Sequence, residues 1–159
     1  MPINFDELLS QGNDAADLVI QNRSEINAVF ENLRSSLSRF FAFEIRFVEE
    51  PEYEDENKTP MSRISLMMTH PRKLTGYNHV YIESEEAGIR RKLTSIKRSP
   101  EGYPVTIVNA KNHYVAEIQE EFAAALGCVV SNPQTHLMFR NFKKNVHKIL
   151  DSRTDETID

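Results

Sequence analysis

The chain has 159 residues, 40% of them hydrophobic and 27% charged, with a formal net charge of −5. That is enough chain for one domain to bury a core without a metal or disulfide frame. Its single cysteine, Cys128, excludes an internal disulfide, no apolar run is long enough to span a bilayer, and the N-terminus lacks the basic-then-apolar pattern of a secretory signal.

These features fit a cytoplasmic protein that does not enter a membrane. They lead to the expectation of a single α+β domain over residues 1–151, followed by a polar, frayed tail over 152–159. The charge is unevenly placed. Up to Pro60 acids far outnumber bases, whereas from Met61 to Leu150 bases outnumber acids. Such asymmetry points to a polarised surface, against the plainer reading of ordinary solvation.

Residues 14–40 read as a long helix. Val19, Ile26, Phe30, Leu33, Leu37 and Phe40 recur at the helical period, and Asn13 or Asp14 can cap its start. The polar run Asn22-Arg23-Ser24-Glu25 is a candidate break. Phe5, Leu8 and Leu9 are expected to form a short turn packed beneath. The heptad spacing of Val19, Ile26, Leu33 and Phe40 also offers a homodimer seam through the 14–40 helix, although a stripe of this kind more often packs on its own sheet.

The period then falls to two. Phe43, Ile45 and Phe47 alternate with Glu44 and Arg46 as a half-buried strand. Glu49, Glu50, Glu52, Glu54, Asp55 and Glu56 read as an acidic loop, a candidate protein-binding surface. That loop lacks the glycine of a calcium loop. Ile64, Leu66 and Met68 predict a second strand ending at Pro71, and Val80 and Ile82 a third.

Ile89, Leu93 and Ile96 have helical spacing, but Ser99-Pro100-Glu101-Gly102 is a strong turn. A hairpin of 92–97 with 103–108 is therefore expected. Two helices follow. The first starts at a capping Asn112, carries Val115, Ile118, Phe122 and Ala125, and stops at Gly127. The second is capped by Asn132 with Pro133 in its first turn, and buries Met138, Phe142, Val146 and Ile149. Links too short for crossover helices imply a mainly antiparallel sheet of four to five strands, with the long N-terminal helix and two C-terminal helices packed on one face.

Three surfaces carry the functional expectations. On the last helix, Arg140, Lys143, Lys144 and Lys148, with His136 and His147, share one face. Arg90, Arg91, Lys92, Lys97 and Arg98 extend it in an alternative reading as a nucleic-acid-binding stripe. His79, Tyr81 and Glu83 alternate onto one strand face, and a histidine beside a carboxylate suits acid–base chemistry; this is the second alternative, a small enzyme. No nucleophile elbow, Gly-rich phosphate loop or metal-ligand spacing accompanies them, and Cys128 between apolar neighbours reads as an inert buried thiol. No cofactor or metal is expected. The favoured expectation is a non-enzymatic, macromolecule-binding protein, a small acidic inhibitor, adaptor or accessory subunit acting through a protein–protein interface.

Overall fold

The computed structural model describes residues 2–54 and 72–156. The elements run α1 (Phe5–Phe41), β1 (Arg46–Tyr53), β2 (Leu74–Ser84), β3 (Ile89–Ser99), β4 (Gly102–Asn109), β5 (Asn112–Ala116), α2 (Gln119–Val130) and α3 (Pro133–Glu156). The strands form one five-stranded meander in the order β1-β2-β3-β4-β5, every neighbouring pair antiparallel. The α+β arrangement follows the expected sequence of elements. The strand expected at Ile64–Met68 lies outside the described residues.

The first helix is longer than its periodicity suggested. It starts at Phe5, where the Asn4 side chain accepts a hydrogen bond from the Glu7 amide at 3.2 Å. Asn4 followed three residues later by Glu7 is a capping pattern that competes with Asn13 as a start signal. No break occurs at Asn22–Glu25. The helix ends where Ala42 turns left-handed, at φ 65°, and its amide bonds Ser38 O.

Three further expectations are corrected. The first strand spans Arg46–Tyr53, so Glu49, Glu50 and Glu52 belong to β1 and not to a loop. Phe43 precedes that strand and stacks on Phe41. Residues Asn112–Ala116 form a strand, not the start of a helix, and α2 begins only at Gln119. Ala110, at φ 57°, reverses the chain so that Asn109 pairs with Asn112 and β5 folds back on β4. That hairpin pairing outweighs the helical spacing of Val115, Ile118 and Phe122. Gly127 does not stop α2, which continues to Val130, and Cys128 on its outer face is exposed, not buried.

Ile89, Leu93 and Ile96 show how a strand can imitate a helix. Val80 pairs with Thr94 and Tyr81 with Lys92, which leaves Leu93 as the extra residue of a bulge. A one-residue bulge inserted into a period of two produces apolar spacings of four and three. Leu93 packs against both core clusters.

The core has two clusters. In the first, Ile26 and Phe30 of α1 and Phe122, Ala125, Leu126 and Val129 of α2 meet Val80, Ile96, Val105, Ile107 and Ala116. In the second, Leu37 and Phe41 of α1 and Phe139, Phe142 and Val146 of α3 meet Ile82. Phe30 stands edge-on to Phe47 and Phe122, and Phe41 edge-on to Phe139 and Phe142, the packing that ring quadrupoles favour. Asn132 accepts a bond from the Gln134 amide at 2.9 Å, and with Pro133 in its first turn α3 begins as its sequence indicates. The helix runs on past Asp151 to Glu156, and Arg153 reaches the carbonyl of Glu86 in the β2–β3 turn.

Candidate interaction surface

An α-helix repeats every 3.6 residues, so position on its circumference follows from residue number. Ile26, Phe30, Leu37 and Phe41 are the buried residues of α1, and they share one arc. Phe5, Leu8, Leu9, Ala16 and Val19 fall on that same arc, which is about 100° wide. The apolar stripe is therefore continuous along α1, but its cover is not. Phe5 is 67% exposed and Leu9 70%, Leu8 is likewise exposed, and only from Val19 onward does the stripe become shielded. Each large side chain left in water forgoes roughly 1.5–3 kcal/mol of burial free energy. The expectation that Phe5, Leu8 and Leu9 pack beneath the domain is thus overturned. They stand on a helical arm that extends roughly 25 Å beyond the body.

The arm leaves the body at a defined point. Asn22 Nδ2 donates to Glu101 O and Arg23 Nη2 to Pro100 O, both at 3.2 Å, so α1 is pinned to the β3–β4 turn. Gly102 in that turn sits at φ 103°, and a Cβ there would lie 2.7 Å from the Cβ of Asn22. Only glycine supplies both the backbone and the close approach. Just beyond, Tyr103 donates to Glu25 at 3.1 Å, and burial together with that carboxylate pushes its phenol up to about 12. Between Phe5 and Asn22 the arm carries Asp6, Glu7, Asp14 and Asp17 and no base.

On the sheet, the acids of β1 meet the bases of β3. Arg90 bonds Glu50 at 2.5 Å and lies 3.9 Å from Glu83, which Arg46 holds at 2.7 Å. These contacts hold Arg46 and Arg90 above the ordinary guanidinium range, with the hydrogen bond to Glu83 and to Glu50 respectively as the main cause. Arg98 pairs with Glu49 on the helix-facing side, where it also lies over the Phe30 ring. Much of the uneven charge along the chain therefore resolves into cross-strand pairs. Glu54 is exposed at the end of β1, while Asp55 and Glu56 lie outside the described residues.

The expected basic stripe divides in the same way. Arg90 and Arg98 are engaged with acids on opposite faces of the sheet, and Arg91 donates to the carbonyl of Arg90. Lys92 is exposed opposite Tyr81, and Lys97 extends over the Tyr77 ring. On α3, Arg140, Lys144 and Lys148 are exposed and Lys143 is half-buried. None of these four has an acid within ion-pair distance among the described residues.

His79, Tyr81 and Glu83 do share a face of β2, but their surroundings are a ladder of internal contacts. His79 is buried; its Nδ1 lies 3.1 Å from Ser95 Oγ and 3.8 Å from Glu52. A serine–histidine–carboxylate relay needs the hydroxyl and the carboxylate on opposite ring nitrogens. Here both approach the same nitrogen, so Ser95, His79 and Glu52 do not form that relay. Glu83 is held by two arginines, and Tyr81 lies beneath one of them. Among the described residues, no three His, Cys, Asp or Glu side chains gather as a metal ion would require, and no helix is long and apolar enough to cross a membrane.

The arm was visible in the sequence as the shared arc of Phe5, Leu8, Leu9, Ala16 and Val19 with Ile26 and Phe30, preceded by the Asn4–Glu7 cap. What the arc could not disclose is that, among the described residues, its first half has nothing to pack against. Comparison with protein-family models, with curated proteins and with solved structures finds no match to this chain.

Proposed function

We propose that this chain is a non-enzymatic binding protein, an adaptor, inhibitor or accessory subunit, whose contact element for another protein is the arm of α1. The observation that carries this reading is the uncovered half of a stripe whose other half is core. An amphipathic helix laid into an apolar groove is a recurrent mode of protein recognition, read through anchors at the spacing of Phe5, Leu8, Leu9, Ala16 and Val19. Support also comes from the sheet, where the groups best suited to chemistry are occupied with one another.

The test compares proteins recovered from the native cells by the wild-type chain and by the Leu8→Asp/Leu9→Asp chain. Both positions are exposed, so the double variant is expected to fold with an unchanged melting temperature. A protein retained by the first and absent from the second supports the reading. Identical recoveries reject it.

A second reading rests on a different observation, the bases of α3 that have no acid within ion-pair distance among the described residues. Arg140, Lys143, Lys144 and Lys148 suit a polyanion such as nucleic acid, which they would bind by displacing its counterions. Retention on heparin at low salt, lost on Lys143→Glu/Lys144→Glu, is the expected result. Retention that survives the double change rules this out.

A further inference from the structure

The arm is asymmetric in charge as well as in polarity. Viewed down its axis, Asp6 and Asp17 flank one side of the apolar stripe, just beyond the exposed Ile20 and Asn13, while Glu7 and Asp14 lie further round the helix. The opposite border is formed by Asn4, Gln11 and Ala15 and carries no charge. Asp6 and Asp17 lie about 16 Å apart along the axis, at 1.5 Å per residue.

We infer that the arm docks in a protein groove that is apolar at its floor and basic along one wall only. This inference rests on the arm being the contact element, and it adds the chemistry and the orientation of the partner. Two cations on one wall, spaced to meet Asp6 and Asp17, fix which way round the helix lies. An uncharged opposite wall accommodates Asn4, Gln11 and Ala15. A helix whose apolar face fits either way gains its polarity from such one-sided pairing, because the reversed pose leaves both carboxylates without partners.

A second copy of this chain is a poor occupant for the same reason. Pairing two arms brings eight carboxylates together with no base among them, and like charges across a helix pair destabilise it. The stripe beyond Val19 is already core, with Ile26 and Leu33 packed against the sheet and α2. Few apolar anchors therefore remain to offset that repulsion. An anionic membrane surface is disfavoured by the same four acids.

The experiment uses the full chain and a synthetic probe. The probe is a fluorescein-labelled amphipathic helical peptide of leucines with lysines along one flank, read by anisotropy. Its control is the same peptide with glutamate at every lysine. The wild-type chain is expected to bind the lysine peptide and not the glutamate one. Asp6→Lys/Asp17→Lys is expected to weaken binding about tenfold, the effect of turning two rim attractions into repulsions. Glu7→Lys/Asp14→Lys makes the same change in net charge on the far side of the arm. It is expected to stay within about threefold of wild type. Leu8→Asp/Leu9→Asp abolishes binding, with circular dichroism and the melting temperature confirming that each variant is folded.

Equal losses in the two charge-reversed variants would mean bulk attraction and overturn the one-walled groove while leaving the arm as contact element. Indifference to Leu8→Asp/Leu9→Asp would instead remove the arm itself. A sedimenting dimer of the wild-type chain that this same variant disperses overturns the inference in favour of a second copy. Leu8-dependent co-sedimentation with phosphatidylcholine vesicles overturns it in favour of a lipid surface.

Discussion

The two halves of α1 carry the same stripe and meet different fates. From Ile26 to Phe41 the arc is filled by core residues that touch the sheet, α2 and α3. From Phe5 to Ala16 the same arc faces water. Helix continuity explains how the outer half holds its shape. A separate peptide of that length would be marginal because nucleation is costly, but here the nucleus is supplied by the packed half. Amphipathicity thus fixes where a helix can be covered, while the number of neighbours fixes how much of it is.

Substitutions along the stripe put this contrast at risk. The largest effect is expected at Phe30, which joins Phe47, Phe122 and the Arg98 guanidinium. Phe30→Ala should cost about 3–5 kcal/mol in denaturant unfolding. A loss below about 1 kcal/mol would mean that the inner half is no better covered than the arm.

Next comes the point of exit. Gly102→Ala imposes a side chain at φ 103° and against Asn22 Cβ. A cost of roughly 2 kcal/mol is expected, with the larger structural change in Asn22 and Arg23. Chemical-shift changes confined to β4 would show that the turn does not set the direction of the arm.

Tyr103 gives a smaller, pH-dependent effect. Its folded-state pKa, raised to about 12, exceeds its unfolded value near 10, so the native state holds the proton through that interval. Its contribution to stability is complete below about pH 10 and is lost as pH rises towards 12. Tyr103→Phe should destabilise the protein by about 1.5 kcal/mol at neutral pH through loss of the bond to Glu25. The gap between the two proteins should narrow in melts taken above pH 10; a constant gap would break the assignment.

On the arm the expected effects on global stability nearly vanish. Gly12 has nothing within 4 Å of where a Cβ would stand. Gly12→Ala should strengthen the helix locally by up to about 1 kcal/mol, seen as slower amide exchange around residue 12, without moving the unfolding midpoint. Leu9→Ala should change global stability by less than about 0.5 kcal/mol. A loss comparable to that of Phe30→Ala would mean that the arm is packed after all.

The same local-versus-global division explains what could be read in advance. The alternation of Val80 with Ile82 and of Val105 with Ile107, the Pro100–Gly102 turn, and the Asn132-Pro133 start of α3 are local patterns with local causes, and the structure follows them. Glu49 to Glu52 look like a loop because acids are depleted in strands, and only pairing with β2, with bases of β3 neutralising Glu49 and Glu50, makes a strand of them. Helical spacing continues through Asn112 to Ala116, and the tight turn at Ala110 with the β4 pairing overrides it. Ile89, Leu93 and Ile96 posed the same ambiguity through a bulge that exists only when β2 lies alongside. Cys128 sits between apolar neighbours in sequence, yet the face of α2 that turns inward is Phe122, Ala125, Leu126 and Val129.

Sequence alone determined the succession of a long helix, an antiparallel sheet and two closing helices, because each depends on patterns a few positions apart. The tertiary structure alone decided which acids pair with which bases, and where along α1 the cover stops. Both are set by residues brought together from distant parts of the chain.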